Sequence, residues 1–445
     1  MEELYGVFLK HRSVSTDSRK VASGDLFFAL KGENFDGNDY AEQALEAGAA
    51  YAVIDRPELY DISPFGRQAE ERERERLVLV PDVLEALQQL ARHHRSVLNV
   101  PVVALTGTNG KTTTKELVTA VLATCYRVCS TSGNLNNHIG VPLTLLRMDE
   151  ATRVGVVEMG ASHLGEIAQL AAVAQPDYGL ITNVGKAHLE GFGSLEGVVQ
   201  TKGALYEAAK KLFVNADNPL LCGMAEGRGG QKEKYLYGLH YQKASLLPID
   251  EQHPFLRLHV PGYPLIETQL IGAYNADNVL AALAVGAYFG VDPLLAAAAV
   301  KQYTPSNNRS QWMQTAQNAL IIDAYNANPT SMSVALDNFE QLLSKHKAVI
   351  LGDMLELGAD SEREHLALVR RLVQLNEEAK IGQIFLVGPR LDAATREITV
   401  EKTVCTCFKE AGALRTYLTE QPMSGAIILI KGSRGMRLEQ VLDVL

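Results

Sequence analysis

Apolar positions along this chain fall into two alternating patterns. Short unbroken apolar runs occur at Val102–Leu105, Val154–Glu158 and Tyr178–Asn183. Between and after them, at Thr113–Cys125, Leu164–Val173 and Leu195–Lys211, apolar residues recur every three to four positions. The short runs read as strands buried on both faces, and the longer period reads as amphipathic helices. Strict alternation of the two predicts a parallel sheet with crossover helices.

The same reading divides the chain into three units. Residues 1–97 mix short strands with helices at Tyr40–Ala49 and Val83–Leu98. Residues 98–308 carry the alternating pattern and close with helices Asn275–Phe289 and Pro293–Tyr303 before Pro305. Residues 309–445 repeat it, with strands at Leu320–Asp323, Ala348–Gly352, Gln383–Val387 and Ala426–Lys431, which predicts a second doubly wound, Rossmann-like domain. The run Arg67–Arg76 holds both signs of charge densely and reads as a solvated loop or helix end. There is no internal repeat or low-complexity tract.

Composition narrows the function classes. At 445 residues, 47% of them hydrophobic, the chain is long enough for two or three cores. A net charge of −10 without a basic block argues against nucleic acid or an anionic membrane as partner. No apolar run nears the roughly 18 residues needed to span a bilayer. The start, Met1-Glu2-Glu3-Leu4, lacks the basic and apolar regions of a signal peptide. The five cysteines form no framework; Cys405 and Cys407 sit in an alternating, strand-like segment, so packing is favoured over a metal pair. A reducing cytoplasm is expected.

Candidate chemistry begins where the run Val102–Leu105 meets Thr106-Gly107-Thr108-Asn109-Gly110-Lys111-Thr112-Thr113. Strand, Gly-rich turn, Lys-Thr and helix are the order of a phosphate cradle. Its amides converge on phosphate oxygens, Lys111 reaches the terminal phosphates, and the Thr112 hydroxyl meets magnesium. The long form of the motif wants a glycine where Leu105 stands, so a plain strand-to-helix turn is the alternative. Glu158 ends a predicted central strand, at the edge where open parallel sheets bind ligands. It is a candidate magnesium ligand, with a helix cap or surface carboxylate as the alternative. His188, just past another strand end, is a second candidate; imidazole is an unusual choice for magnesium, so a negative group is expected nearby. Lys202 by itself reads as an exposed helix lysine.

Together these segments resemble the Mur ligases, the ATP-dependent amide-bond ligases of peptidoglycan precursor synthesis. The likeness covers essentially the whole chain and carries its own expectations. The short nucleotide loop (Gly107 to Thr113) and the strand ends at Glu158 and at Asn183–His188 match the family's ATP and metal sites, implying two magnesium ions. Lys202 falls at the lysine that the family carbamylates, which turns a cation into an anion beside the second metal. Asn275 and Asn278 match the adenine-contacting helix start, with Asn275 also expected to cap the helix. Arg309 and Asp323 match the C-terminal contribution to the ATP site, through phosphate charge and ribose hydroxyls.

Asn326 and Asn328, with Gly352–Gly358 and Lys431–Gly435, point to the branch that adds D-alanyl-D-alanine to UDP-N-acetylmuramoyl-tripeptide. The last two segments are expected on the amine-substrate side. Thr16, Asp17, Ser18, Arg19, Lys31 and Gly32 resemble that branch's UDP-binding elements, and Asn134, Asn136 and Asn137 its muramoyl-contacting segment. The implied architecture is an N-terminal α/β UDP-binding domain, a central P-loop ATP-binding domain and a C-terminal Rossmann-like domain, acting as a monomer through an acyl phosphate. Lysine or diaminopimelate as third peptide residue stays open. A folate-polyglutamylating enzyme of the same superfamily and a non-ligating P-loop switch are the alternatives.

Overall fold

Three parallel-stranded sheets organise the chain in the computed structural model, which describes residues 1–65, 75–249, 253–305, 309–342, 344, 346–398 and 405–445. The N-terminal sheet has four short strands, ordered Val14–Ser15, Leu26–Phe28, Tyr51–Ile54 and Leu77–Leu79. The central sheet has six, all parallel, ordered Lys234–Tyr237, Lys211–Asn215, Tyr178–Ile181, Val102–Thr106, Val154–Glu158 and Val128–Ser130. The chain leaves Val102–Thr106 first to one side and then to the other. The C-terminal end of that strand is therefore a topological switch point, where a crevice opens. The C-terminal sheet also has six strands, five parallel and one antiparallel edge strand, Gln311–Gln314.

Several elements differ from the expectation. The helix predicted over Leu195–Lys211 ends at Ala208, and Lys211 opens a strand. Ala-Ala-Lys-Lys is locally helix-favouring, but the Lys211 N–H donates to the Asp177 carbonyl (2.9 Å) and Leu212, Phe213 and Val214 are buried. Tertiary pairing overrides propensity here. A small antiparallel sheet, Ser245–Leu246, Arg257–His259 and Ile266–Glu267, was not expected; strands of two or three residues are too short to show alternation.

The helix Val83–Leu98 appears as expected, capped by the Asp82 carboxylate on the Glu85 N–H (2.7 Å) and ended by Asn99 in the left-handed region. It packs against helices Gly140–Leu146 and Glu166–Ala174 of the central unit. One apolar cluster runs from Leu4, Phe8 and Val53 through Leu87 and Leu90 to Val102 and Ile181. The expected boundary at 97/98 thus separates two sheets but cuts through a shared core. His94 ties this seam: its Nε2–H donates to the Met148 carbonyl (2.9 Å), and Nδ1 accepts from the Tyr5 hydroxyl (3.2 Å).

Of the charged run, residues 67–74 lie outside the described residues. Arg76 is not a solvated charge: it donates to the carbonyls of Ala50 (3.0 Å), Leu45 (3.1 Å) and Ala49. Cys405 and Cys407 lie in strand Cys405–Phe408, as the alternation predicted. No described helix is long and apolar enough to cross a membrane.

Candidate active site

The site grows from the loop after strand Val102–Thr106. Gly107 has φ 155°, and a Cβ there would lie 1.9 Å from Thr182 Oγ1; Gly110 has φ 77°, and a Cβ there would lie 2.6 Å from Asn278 Oδ1. Both glycines are required by backbone angle and by close approach. The neighbouring strand end holds the loop. Thr182 Oγ1 and Asn183 Nδ2 donate to the Asn109 carbonyl (2.6 and 3.0 Å), and the Asn109 N–H donates to Asn183 Oδ1 (2.9 Å). Lys111 folds back onto the carbonyls of Gly107 (2.8 Å) and Thr108 (3.1 Å). Burial pushes its pKa down to about 8, with Glu158 opposing the shift and Arg309 adding to it.

Glu158 ends its strand at 1% exposure. Its Oε1 accepts from Asn136 Nδ2 (2.7 Å) and from the Thr112 hydroxyl (3.3 Å). Its Oε2 is buried without a hydrogen-bond partner. An unpaired buried carboxylate oxygen is costly, so this atom fits a cation. No three His, Cys, Asp or Glu side chains gather as a metal cage among the described residues. An ion here would take further oxygens from a phosphate ligand, which suits magnesium. Asn136, expected on the muramoyl substrate, lines the cleft and also holds the Glu158 carboxylate.

His188 adopts φ 50°, and its Nδ1 lies 2.8 Å from Glu356 Oε2 of the C-terminal unit, the negative partner its chemistry called for. The hydrogen bond from His188 lowers the Glu356 pKa against the opposing effect of burial. Lys202 is not an exposed helix lysine. It is 2% exposed, hydrogen-bonds to no described residue, and its Nζ sits 5.8 Å from the Phe192 ring centroid. Burial, then the charge of Lys111, drives its pKa well below the usual lysine value. The adjacent Thr201 hydroxyl is also buried and unpaired.

At the other end of the cleft, Asn275 and Asn278 share a face as their spacing predicted. Asn278 Nδ2 donates to Asn275 Oδ1 (2.8 Å), and Thr114 Oγ1 donates to Asn278 Oδ1 (3.0 Å). The expected cap is absent. Asn275 is the first helical residue, and its amide turns back to the Ile271 carbonyl (2.7 Å). Arg309 stacks over Tyr325, its Cζ 3.7 Å from the ring centroid. Asp323 accepts from Lys431 Nζ (2.5 Å) and from the Ser310 N–H (3.3 Å). Lys431, expected on the amine-substrate side, lines the same cleft and lies beneath Asp323 at 1% exposure. Asn326 faces the same cleft and accepts from the Ala327 N–H (2.9 Å).

Lys111, Thr113, Glu158, His188, Asn275, Asn278, Arg309, Asp323 and Asn328 all line one cleft of about 990 Å³, with Asn134, Asn136 and Asn137 along its wall. Gly107, Thr112 and Lys202 do not line it; Thr112 reaches it through Glu158. Thr16, Asp17, Ser18, Arg19, Lys31 and Gly32 stand outside it. There, Arg19 pairs with Asp17, holding that carboxyl down at about 2, and Lys31 pairs with Asp55 (2.8 Å). Sequence reasoning passed over Tyr274, Tyr325 and Glu356 as individual residues, although each stands beside or within a stretch it had singled out: Asn275, Asp323 and Gly352–Gly358.

Family models match consecutive stretches: the Mur ligase family, catalytic domain over residues 10–95; the Mur ligase middle domain over 105–286; and the Mur ligase, glutamate ligase domain over 308–434. A UDP-N-acetylmuramoyl-tripeptide–D-alanyl-D-alanine ligase of Bacillus subtilis (strain 168) is 38% identical over 439 residues, covering 96% of this chain and 92% of the relative. A crystal structure of MurF from Acinetobacter baumannii superposes with a TM-score of 0.82 at 30% identity, covering 97% of this chain and 92% of that one. A MurF ligase from Thermotoga maritima, solved with ADP, gives 0.81 at 26% identity, covering 98% and 97%.

Proposed function

The chain belongs to the Mur ligase family, and we propose that within it the protein is the ADP-forming ligase that joins D-alanyl-D-alanine to UDP-N-acetylmuramoyl-tripeptide. One observation carries the reading. Lys111, Glu158, His188 and Arg309, from a loop, two strand ends and a second domain, face one cleft, in which Glu158 presents an unpaired oxygen.

In the first step the tripeptide carboxylate attacks the γ-phosphorus of ATP, giving an acyl phosphate and ADP. In the second the dipeptide amine attacks the acyl carbon and phosphate leaves. The loop amides and Lys111 grip the triphosphate, and Arg309 neutralises charge as it develops on the transferred group. Asn275 and Asn278 offer donors and acceptors to the adenine edge, and Asp323 to the ribose. The C-terminal domain covers the cleft and excludes water from a hydrolysable intermediate.

Thr112, Glu158 and His188 would hold two magnesium ions, which supply positive charge between carboxylate and triphosphate. Lys202, whose burial disfavours the charged ammonium, is suited to react with carbon dioxide. Its nitrogen bonds the carbon and loses a proton, leaving a carbamate that adds negative charge on the His188 side. Thr16, Asp17, Ser18, Arg19, Lys31 and Gly32 would receive the UDP end, supported by their resemblance to the family's UDP-binding segments.

Phosphate release measured with each substrate omitted in turn tests the reading. Release is expected only with ATP, UDP-tripeptide and D-alanyl-D-alanine together. ATP hydrolysis independent of both acceptors would overturn it in favour of a nucleotide switch.

A further inference from the structure

We propose that Glu356, carried by the C-terminal domain, is a positioning residue that fixes the tautomer and orientation of His188 and so makes metal binding at His188 depend on domain closure. The proposal rests on the metal role given to His188 above. The carboxylate Oε2 stands 2.8 Å from His188 Nδ1. A carboxylate only accepts, so Nδ1 carries the hydrogen, and Nε2, which no described residue engages, keeps its lone pair for a cation.

The pair is built rather than incidental. His188 and Glu356 both hold positive φ, 50° and 67°, which non-glycine residues rarely adopt without support. The loop under Glu356 is tied on three sides. The Met354 N–H donates to His365 Nε2 (3.0 Å), the Leu355 N–H to Ser433 Oγ (2.9 Å), and Arg390 Nη1 to the Met354 carbonyl (2.9 Å). Gly358, at φ 54°, lets the loop settle against Glu190, whose Cα lies 3.5 Å from where a Cβ would be. All of these supports lie in the C-terminal domain except the last, so the carboxylate reaches His188 only when the domains are closed. By linkage, an ion held by His188 favours the closed arrangement in turn.

The test uses the full-length protein. Spectra of 15N-histidine-labelled, metal-free protein are expected to show His188 as the Nδ1–H tautomer, shifting to Nε2–H in Glu356→Ala. Mn2+ titration in the presence of ADP is expected to show about 10- to 100-fold weaker binding at one site in Glu356→Ala, with Glu356→Gln between. Glu364→Gln is the control: it breaks a second ion pair across this seam, Lys186–Glu364 (2.9 Å), without touching His188, and is expected to weaken Mn2+ binding less. An unchanged tautomer and Mn2+ affinity in Glu356→Ala, or an equal loss in Glu364→Gln, would overturn the proposal. Loss of dipeptide-dependent phosphate release in the wild type would sink the substrate reading alone and leave these two readouts standing.

Discussion

Asn328, at the head of a C-terminal helix, donates through Nδ2 to Oδ1 of Asn109 in the phosphate loop, 3.0 Å away. The same side chain caps its own helix by accepting from the Ser331 N–H (2.8 Å). One residue therefore ends a helix and closes a domain onto the nucleotide loop. Asn328→Ser should separate the roles, because serine caps about as well but cannot span to Asn109. A lost neutral hydrogen bond of about 1 kcal/mol shifts the closure equilibrium about fivefold toward open. Small-angle scattering of the nucleotide-free protein should show the expansion with thermal stability held; an unchanged profile would remove Asn328 from the closure.

Lys111 Nζ donates to the loop carbonyls of Gly107 and Thr108. Removing a contact of this kind typically costs about 3–4 kcal/mol of barrier. Lys111→Ala is expected to lose at least roughly a hundredfold in turnover while staying folded. Near-normal turnover would mean that another group grips the terminal phosphate.

Lys202 pairs with no carboxylate among the described residues, its Nζ standing 5.8 Å from the Phe192 ring centroid, and the carbamate has a direct readout. With 13C-bicarbonate, a carbamate carbon resonance is expected in the wild type and not in Lys202→Ala. The variant should lose activity, with partial recovery in short carboxylic acids that fill the anion's place. Full activity in bicarbonate-depleted buffer with unmodified Lys202 would exclude the carbamate.

Gly110→Ala should act on the adenine side rather than only on the loop. The new Cβ, at φ 77°, meets Asn278 Oδ1 at 2.6 Å. Displacing Asn278 also breaks its bonds to Asn275 and Thr114. Nucleotide affinity is expected to fall at least tenfold by calorimetry, about 1.4 kcal/mol on the usual scale; wild-type affinity would show that the loop gives way instead.

His94 sets a pH dependence of stability. Burial lowers its pKa below 6.5, against the opposing effect of its hydrogen bond to the Met148 carbonyl. The unfolded state then binds the proton more readily. This contribution is complete above pH 6.5 and is lost as pH falls through the folded value. Buried His365, lowered by burial as well, adds in the same direction. Thermal unfolding should weaken below pH 6.5, and His94→Gln should be less stable at neutral pH but flatter across that range. An equally steep profile in the variant would locate the titration elsewhere.

Much of the site was readable before any coordinates. The phosphate loop, Glu158 and His188 announce themselves because strand ends carry chemistry at fixed offsets from apolar runs. Lys202 misleads on its own residues: nothing local distinguishes a buried lysine from an exposed one, and its burial comes from helices and loops folded over it. Asn136 and Lys431 were placed beside substrates by resemblance, and the structure adds what no sequence pattern showed: one holds Glu158 and the other Asp323. Polar side chains are interchangeable in sequence and are assigned only by what lies across from them.

Hydrophobic period, turn glycines and loop spacing determined that this chain would form parallel sheets with a phosphate cradle at the C-terminal end of Val102–Thr106, since each depends on neighbours a few residues apart. The meeting of His188 with Glu356, of Asn109 with Asn328, and the continuous core beneath the 97/98 boundary depend on residues brought together from distant parts of the chain. No local pattern encodes such distances; only the packing of whole domains against one another decides them.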